Sequence, residues 1–180
     1  ALLDKTDSVN QAAIRALHHR HWNIISTAPG SLHNHQFWRG GYLEHIRQVN
    51  HYVAQLYGNW MEAGVFASLA AEEKFTFEEA LTVSTLHDIE KPFRAQFGDD
   101  GRLRIDGRLH TKQQRYDFKR QLLDGYGIEL NFNQQNAMCF AEGMRDADYD
   151  PTRRIMSPMA VLVHVADLMS ARASFNVGNP

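Results

Sequence analysis

The chain has 180 residues, 43% of them hydrophobic, and a formal net charge of −2 spread along its length. This is enough apolar material for one domain with a real core, while no block of Lys or Arg advertises a nucleic-acid or anionic-membrane surface. No apolar run approaches the roughly 18 residues of a membrane span, and Cys139, the sole cysteine, excludes an intrachain disulfide and makes a reducing cytoplasm the natural setting. No retained segment reads as a leader, although a first residue of Ala1 leaves a removed one open.

Taken in order, the apolar periodicity is helical almost throughout, with no sustained alternation of the kind strands require. Val9 to about Trp22 reads as a first helix capped by Ser8 or Asp7. Ser26 to Gly41, with Pro29, Gly30, Gly40 and Gly41, reads as a structured loop. A second helix runs from Tyr42 to about Ala63, with Leu43, Ile46, Val49, Val53 and Leu56 as its apolar stripe. Thr76-Phe77-Glu78-Glu79 is a capping box that opens a third, which Pro92 stops, so that His87 and Asp88 fall in its last turn. Phe97 to Arg108, around Asp99-Asp100-Gly101, suggests a turn or short hairpin. His110 to Leu123 is helical and ends at Gly125 or Gly127; Asn131 or Asn133 starts another helix running to Gly143. Cys139, within the apolar run 137–141 of that helix, reads as buried and inert. Ser157-Pro158 starts the last helix, which reaches about Phe175. The expectation is an all-α, compact, single-domain helical bundle spanning 1–180.

Ten histidines stand out, since imidazole is the commonest metal ligand and the usual acid–base group near neutral pH. His18, His19 and His21 cluster on a polar helix and read as solvated. Three other sites carry the chemistry: Gly40-Gly41-Tyr42-Leu43-Glu44-His45, Leu86-His87-Asp88-Ile89-Glu90-Lys91, and His164-Val165-Ala166-Asp167. Each places a polar donor inside an apolar helical stripe. A carboxylate there costs several kcal/mol unless paired or bound to a cation. Three helices presenting such groups to one core make a metal centre a good physical solution, and two imidazoles with two carboxylates suit one divalent transition metal, Mn, Fe, Co, Ni or Zn.

The order of these pieces, an early His45, an adjacent His87-Asp88 and a late Asp167, resembles the H…HD…D pattern of the HD phosphohydrolase superfamily. GGYLEH is similar to that family's GG-x-L-x-H, HDIEK to its HDIGK, and HVADLMSA to its ADxxSA. The resemblance covers roughly Pro29 to Ala173 and implies an HD-type bundle in which His45, His87, Asp88 and Asp167 ligate the metal. It further implies that the metal polarises a phosphoryl oxygen and activates a water for attack, with Asp88 and Lys91 as catalytic residues and Lys91 binding the substrate phosphate. Glu90 departs from the family's glycine, either as a proton-transfer group or as a surface carboxylate.

The loop Ala28-Pro29-Gly30-Ser31-Leu32-His33-Asn34-His35 looks like the PA-x-S-x-x-HH stretch of HD domains in certain exoribonucleases and relaxases, which puts His33 and His35 at the substrate mouth; loop polarity with capping bonds is the alternative. Arg94, Lys112 and Arg115 are candidates to clamp phosphate oxygens, against a solvated role. His110 and Glu142 are the sensible donors for a second metal, Asp146 and Asp148 follow Glu142, and His164, one turn before Asp167, reads as a residue behind the ligands or in the core. With only His110 firmly in the interval where dinuclear relatives need two histidines, one metal is favoured. Trp22, Phe37, Trp38 and Tyr42 flank the mouth in sequence, to stack on a base or pack in the core. The expected activity is hydrolysis of a phosphate ester or anhydride in a small phosphorylated molecule, above all a nucleotide. The alternatives are a 3'-5' exonuclease on RNA or DNA, a di-iron oxygenase, and a nucleotide-sensing module without turnover; a homo-oligomer stays open.

Overall fold

The computed structural model describes residues 2–32, 35–144 and 148–173, so His33, Asp146 and the stretch beyond residue 173 lie outside it. Its α-helices, in chain order, are α1 (Gln11–Arg20), α2 (Trp22–Ile25), α3 (Gly41–Glu62), α4 (Val65–Ser68), α5 (Phe77–Leu86), α6 (Lys91–Arg94), α7 (Lys112–Gly125), α8 (Phe132–Phe140) and α9 (Pro158–Ala173). Turns of 3-10 helix at Leu2–Lys5, Ala71–Glu73 and Gly107–Leu109 lie between them. The protein is all-α apart from a hairpin of β1 (Ala95–Phe97) and β2 (Leu103–Ile105), paired antiparallel with Gln96 opposite Arg104 around the turn expected at Asp99-Asp100-Gly101.

Local chemistry sets most of these boundaries. Thr76 accepts the amide of Glu79 while the Glu79 carboxylate accepts that of Thr76, so two otherwise unsatisfied donors of the first turn of α5 are bonded. Thr111 with Gln114 and Asn131 with Gln134 repeat the device at α7 and α8, and Ser157 Oγ accepts the Ala160 amide at the start of α9. Asp7 takes the Asn10 amide on its carboxylate, as a cap should, but the helix proper begins at Gln11 and breaks at His21, where the expected single helix becomes α1 and α2.

Pro92 does not stop α5. That helix ends at Leu86 with His87 as its C-cap, a turn follows over 87–90, and Pro92 occupies the first turn of α6, where its missing N–H costs nothing. The helix from Asn131 likewise ends at Phe140, short of Gly143. Cys139 is exposed rather than buried, because α8 turns Ala137 and Ala141 into the core and Cys139 to the opposite side. His18 reverses the expectation of solvation in the other direction: its ring is buried and its Nδ1 donates to the Ile14 carbonyl.

Two apolar clusters result. Val49 and Val53 of α3, Leu81 and Val83 of α5, Ala137 of α8, and Met159, Leu162, Val163 and Ala166 of α9 form the first. Ile14 and Leu17 of α1, Ile25, Tyr42 and Ile46 at the start of α3, Leu86, Ile89, Leu123 and Ile128 form the second. α3 and α5 pass from one cluster to the other, and His45 and His87 sit at that passage. Among the described residues no helix is long and apolar enough to cross a membrane. Replacing Thr76 by Ala removes the α5 cap and should lower unfolding stability by about 1 kcal/mol; urea denaturation with an unchanged slope and an unchanged midpoint would contradict that.

Candidate metal centre

The centre begins with a backbone clasp ahead of α3. Gln36 is a non-glycine residue at positive φ (42°), fully buried, with its carbonyl accepting the Gly30 amide at 2.9 Å. Gly41 packs so closely on that carbonyl that a Cβ there would collide with it, and a Cβ on Gly30 would lie 2.8 Å from Cβ of Gln36. Gly40 takes φ of 84° to turn the chain into the helix. The GG pair is thus a steric requirement of a loop folded against the first turn of α3, and it aims His45 into the core one turn on.

His87 and Asp88 follow from the end of α5. Ser84 and Thr85 are both buried there, and Asn50 of α3 ties them down, accepting from Ser84 Oγ and donating to Thr85 Oγ1 at 3.2 Å. His87 Nδ1 lies 2.8 Å from the Ser84 carbonyl. A carbonyl only accepts, so Nδ1 carries a proton and Nε2 is the nitrogen that faces the carboxylates. Asp167 comes from α9, whose Ala166 is buried against α3.

The four residues converge. His45 Nε2 lies 3.3 Å from Asp88 Oδ2 and 3.0 Å from Asp167 Oδ1, and His87 Nε2 lies 3.3 and 3.4 Å from the same oxygens. All four ligand atoms fall within 4.8 Å of one another. For bonds of 2.0–2.1 Å, the ligand–ligand edges of an octahedral or tetrahedral shell are about 2.9–3.4 Å. The observed spacings match that range, and this buried cluster could hold a metal ion.

The polar network behind His45 supports the same reading. Gln48 Nε2 donates to the Glu44 carboxylate at 3.1 Å, so Gln48 Oε1 faces inward. There it accepts the Ser170 hydroxyl at 3.0 Å and the Gln36 amide at 2.9 Å. With its proton committed, Ser170 Oγ accepts the His45 Nδ1–H at 3.0 Å, which leaves the His45 Nε2 lone pair pointing at the carboxylates. Neither Nε2 has a hydrogen-bond partner. Two imidazole nitrogens facing two carboxylates are stable only with positive charge among them, which a proton on His87 or a metal ion can supply.

The electrostatics of the residues agree. Burial alone would raise Asp88, yet Lys91 and His87 hold it well below the carboxylate range. Burial likewise opposes at Asp167, and the adjacent His45 and His87 rings outweigh it, so this carboxyl is also held low. Burial pushes the His87 proton off while Asp88 and Asp167 hold it on, and the carboxylates win. Lys91 Nζ is in direct contact with Asp88 Oδ2, the same oxygen that faces the two imidazoles. Glu90 is neither a surface carboxylate nor an available proton carrier: it is buried and paired with Lys119 Nζ at 3.2 Å, which also donates to the His87 carbonyl.

A cleft of about 170 Å³ leads to the centre, lined by His35, Glu142, His164, Asp167, Leu168, Ala171 and Arg172. His35 thus takes the expected place at the mouth, its ring 5.1 Å from that of His45 and its Nε2 buried. Burial first, then Lys91 and His45, lower its pKa to about 4, so the ring is neutral near pH 7. His164 stands behind Asp167, donating from Nδ1 to the Ala141 carbonyl at 2.9 Å. Glu142 is exposed, in the turn after α8 rather than on it, and pairs with Lys112 at 3.3 Å. His110 is exposed and outside the cluster, so it is not a donor for a second metal there. Arg94, Lys112 and Arg115 do not line the cleft.

Among the described residues no Trp, Tyr or Phe is in the cleft wall; Tyr42 is fully buried in the second cluster, Trp22 is exposed, and Phe37 packs on Phe97. Gln36, Gln48 and Lys119 are missing from the sequence-derived site because an amide or a lysine at these spacings has no signature; Ser170, present in the ADLMSA motif, gave a positional hint without a role. Ser170→Ala should keep all four ligands yet weaken metal affinity about 10- to 100-fold, read by competition with a chromophoric chelator; wild-type affinity would show that the relay to His45 is idle. Against family models, curated proteins and solved structures, the chain finds no match.

Proposed function

We propose that this chain is a metal-dependent phosphohydrolase of the HD superfamily type, acting on a phosphate ester or anhydride of a nucleotide. The observation that carries the reading is the convergence of His45, His87, Asp88 and Asp167 on one point, with Lys91 in contact with Asp88. Two imidazoles and two carboxylates suit one Mn, Fe, Co, Ni or Zn ion. When bound, such an ion would supply the Lewis acidity that polarises a phosphoryl oxygen and acidifies water.

The remaining work falls to the chain. Lys91, held charged by Asp88 although burial opposes it, offers N–H donors to a phosphate oxygen entering from the cleft. His35, kept neutral by burial, offers an imidazole nitrogen to a hydroxyl or water of the substrate. Hydrolysis adds a water oxygen to phosphorus and expels the alcohol or phosphate on the other side, in a cleft whose wall joins the apolar Leu168 and Ala171 to polar groups. The cleft's small volume favours a terminal phosphate on a small molecule over an internal position in a polymer.

Asp88→Ala should abolish both metal content and phosphate release across a panel of nucleotides; full turnover in that variant would reject the proposal. Lys91→Ala should keep its metal and lose on the order of 100-fold in kcat/KM, the scale of one charge-assisted contact to the reacting group. Metal analysis alongside steady-state kinetics checks both.

A further inference from the structure

Many arginines of this chain are neutralised where they stand, Arg47 by Glu44, Arg108 by Asp106 and Arg154 by Glu73 among them. Arg94 and Arg115 are not. Both are partly buried, and among the described residues neither has a carboxylate at ion-pair distance. Arg115 uses one donor on the His110 carbonyl at 2.8 Å; the side chain of Arg94 makes no hydrogen bond there, leaving five N–H donors.

Their placement relates them to the metal centre. Arg94 closes α6 three residues after Lys91, which touches Asp88, so it lies one turn, ~5–6 Å, along the same face. On α7, Phe118 stacks against Phe93 with ring centroids 5.0 Å apart, and Lys119 holds Glu90 and the His87 carbonyl. Arg115, three and four residues before them, is on that same face, turned to α6. Burial and then the Arg115 charge itself hold Arg94 below the ordinary arginine range. The carboxylates that Arg94 feels are engaged elsewhere, Glu90 with Lys119 and Glu142 with Lys112. Glu142, whose charge reaches Arg94, also lines the metal cleft, which sets this basic pair near the cleft although not in its wall. The first turn of α7, with its positive end, adds to the field.

Two like charges on adjoining turns of α6 and α7, partly buried and with no carboxylate at ion-pair distance among the described residues, offer donors to an outside anion. We propose that Arg94 and Arg115 make a second phosphate subsite, so that the preferred substrate is a nucleotide carrying two separate phosphates, one at the metal centre and one on this pair. The choice of substrate rests on the phosphohydrolase reading of the centre; the subsite itself does not.

Calorimetric binding of adenosine 5'-monophosphate and adenosine 3',5'-bisphosphate to the metal-loaded protein tests it without turnover. The wild type should bind the bisphosphate about 10- to 100-fold more tightly, Arg94→Ala/Arg115→Ala should bind the two probes alike, and Arg94→Lys should retain part of the preference. An unchanged melting temperature in the variants shows that they fold. Equal affinity of the wild type for the two probes, or a preference that survives the double substitution, overturns the subsite. A protein that prefers the bisphosphate but releases phosphate with no metal loses the hydrolase and keeps the subsite; one that hydrolyses the monophosphate without the preference keeps the hydrolase and loses the subsite.

Discussion

Two carboxylates, Asp88 and Asp167, sit against two imidazole nitrogens at the junction of three helices, where Asp88 is almost wholly removed from water. Desolvating such charges costs several kcal/mol each unless an opposite charge compensates. The rest of the structure is arranged around that debt. Lys91 compensates at Asp88 Oδ2, and the imidazole–carboxylate spacings of 3.0, 3.3, 3.3 and 3.4 Å are those of a cluster that could hold a cation. Neither carboxylate could hold its place in an apolar helix without the other elements closing on it.

The bundle is organised to keep these donors fixed. α3 packs on both α5 and α9, and each of the three brings at least one ligand to the passage between the two apolar clusters. Behind the ligands lies a layer of amides, hydroxyls and carbonyls: Ser84 fixes His87 by its carbonyl, and Gln36, Gln48 and Ser170 fix His45. The strained backbone of Gln36, clasped between Gly30 and Gly41, belongs to this layer. Strain of this kind persists only where the surroundings over-determine it, and here it delivers an amide to the relay that sets the His45 tautomer.

Charge is graded outward from the centre. Nearest it, Lys91 is bound to Asp88; beyond it, Lys119 is locked behind the His87–Glu90 turn and does not face the cleft. Farther out, Arg94 and Arg115 have no carboxylate at ion-pair distance among the described residues, and Glu90 and Glu142, whose charges reach Arg94, are paired with Lys119 and Lys112. A buried cluster that could hold a metal ion thus lies inside a set of basic residues on α6 and α7.

The sequence by itself determined the helical class, most helix starts and the identity of the four donors, because these are local matters: apolar spacing of 3.6 residues, capping pairs such as Thr76 with Glu79, and polar groups interrupting an apolar stripe. It misjudged features whose outcome depends on neighbours distant in the chain. Pro92 was compatible with ending one helix or opening another, and the turn at 87–90 chose the second; Cys139 sat in an apolar run, but the facing of α8 exposed it; Glu90 reads as a surface carboxylate until Lys119, 29 positions away, buries and pairs it. That Asp167 meets His45 and His87, which nitrogen of each ring faces it, and that Arg94 stands beside Arg115 were decided only by the packing of α3, α5, α7 and α9, since contact between residues so far apart follows from how apolar faces are buried together and leaves no periodic trace in the chain.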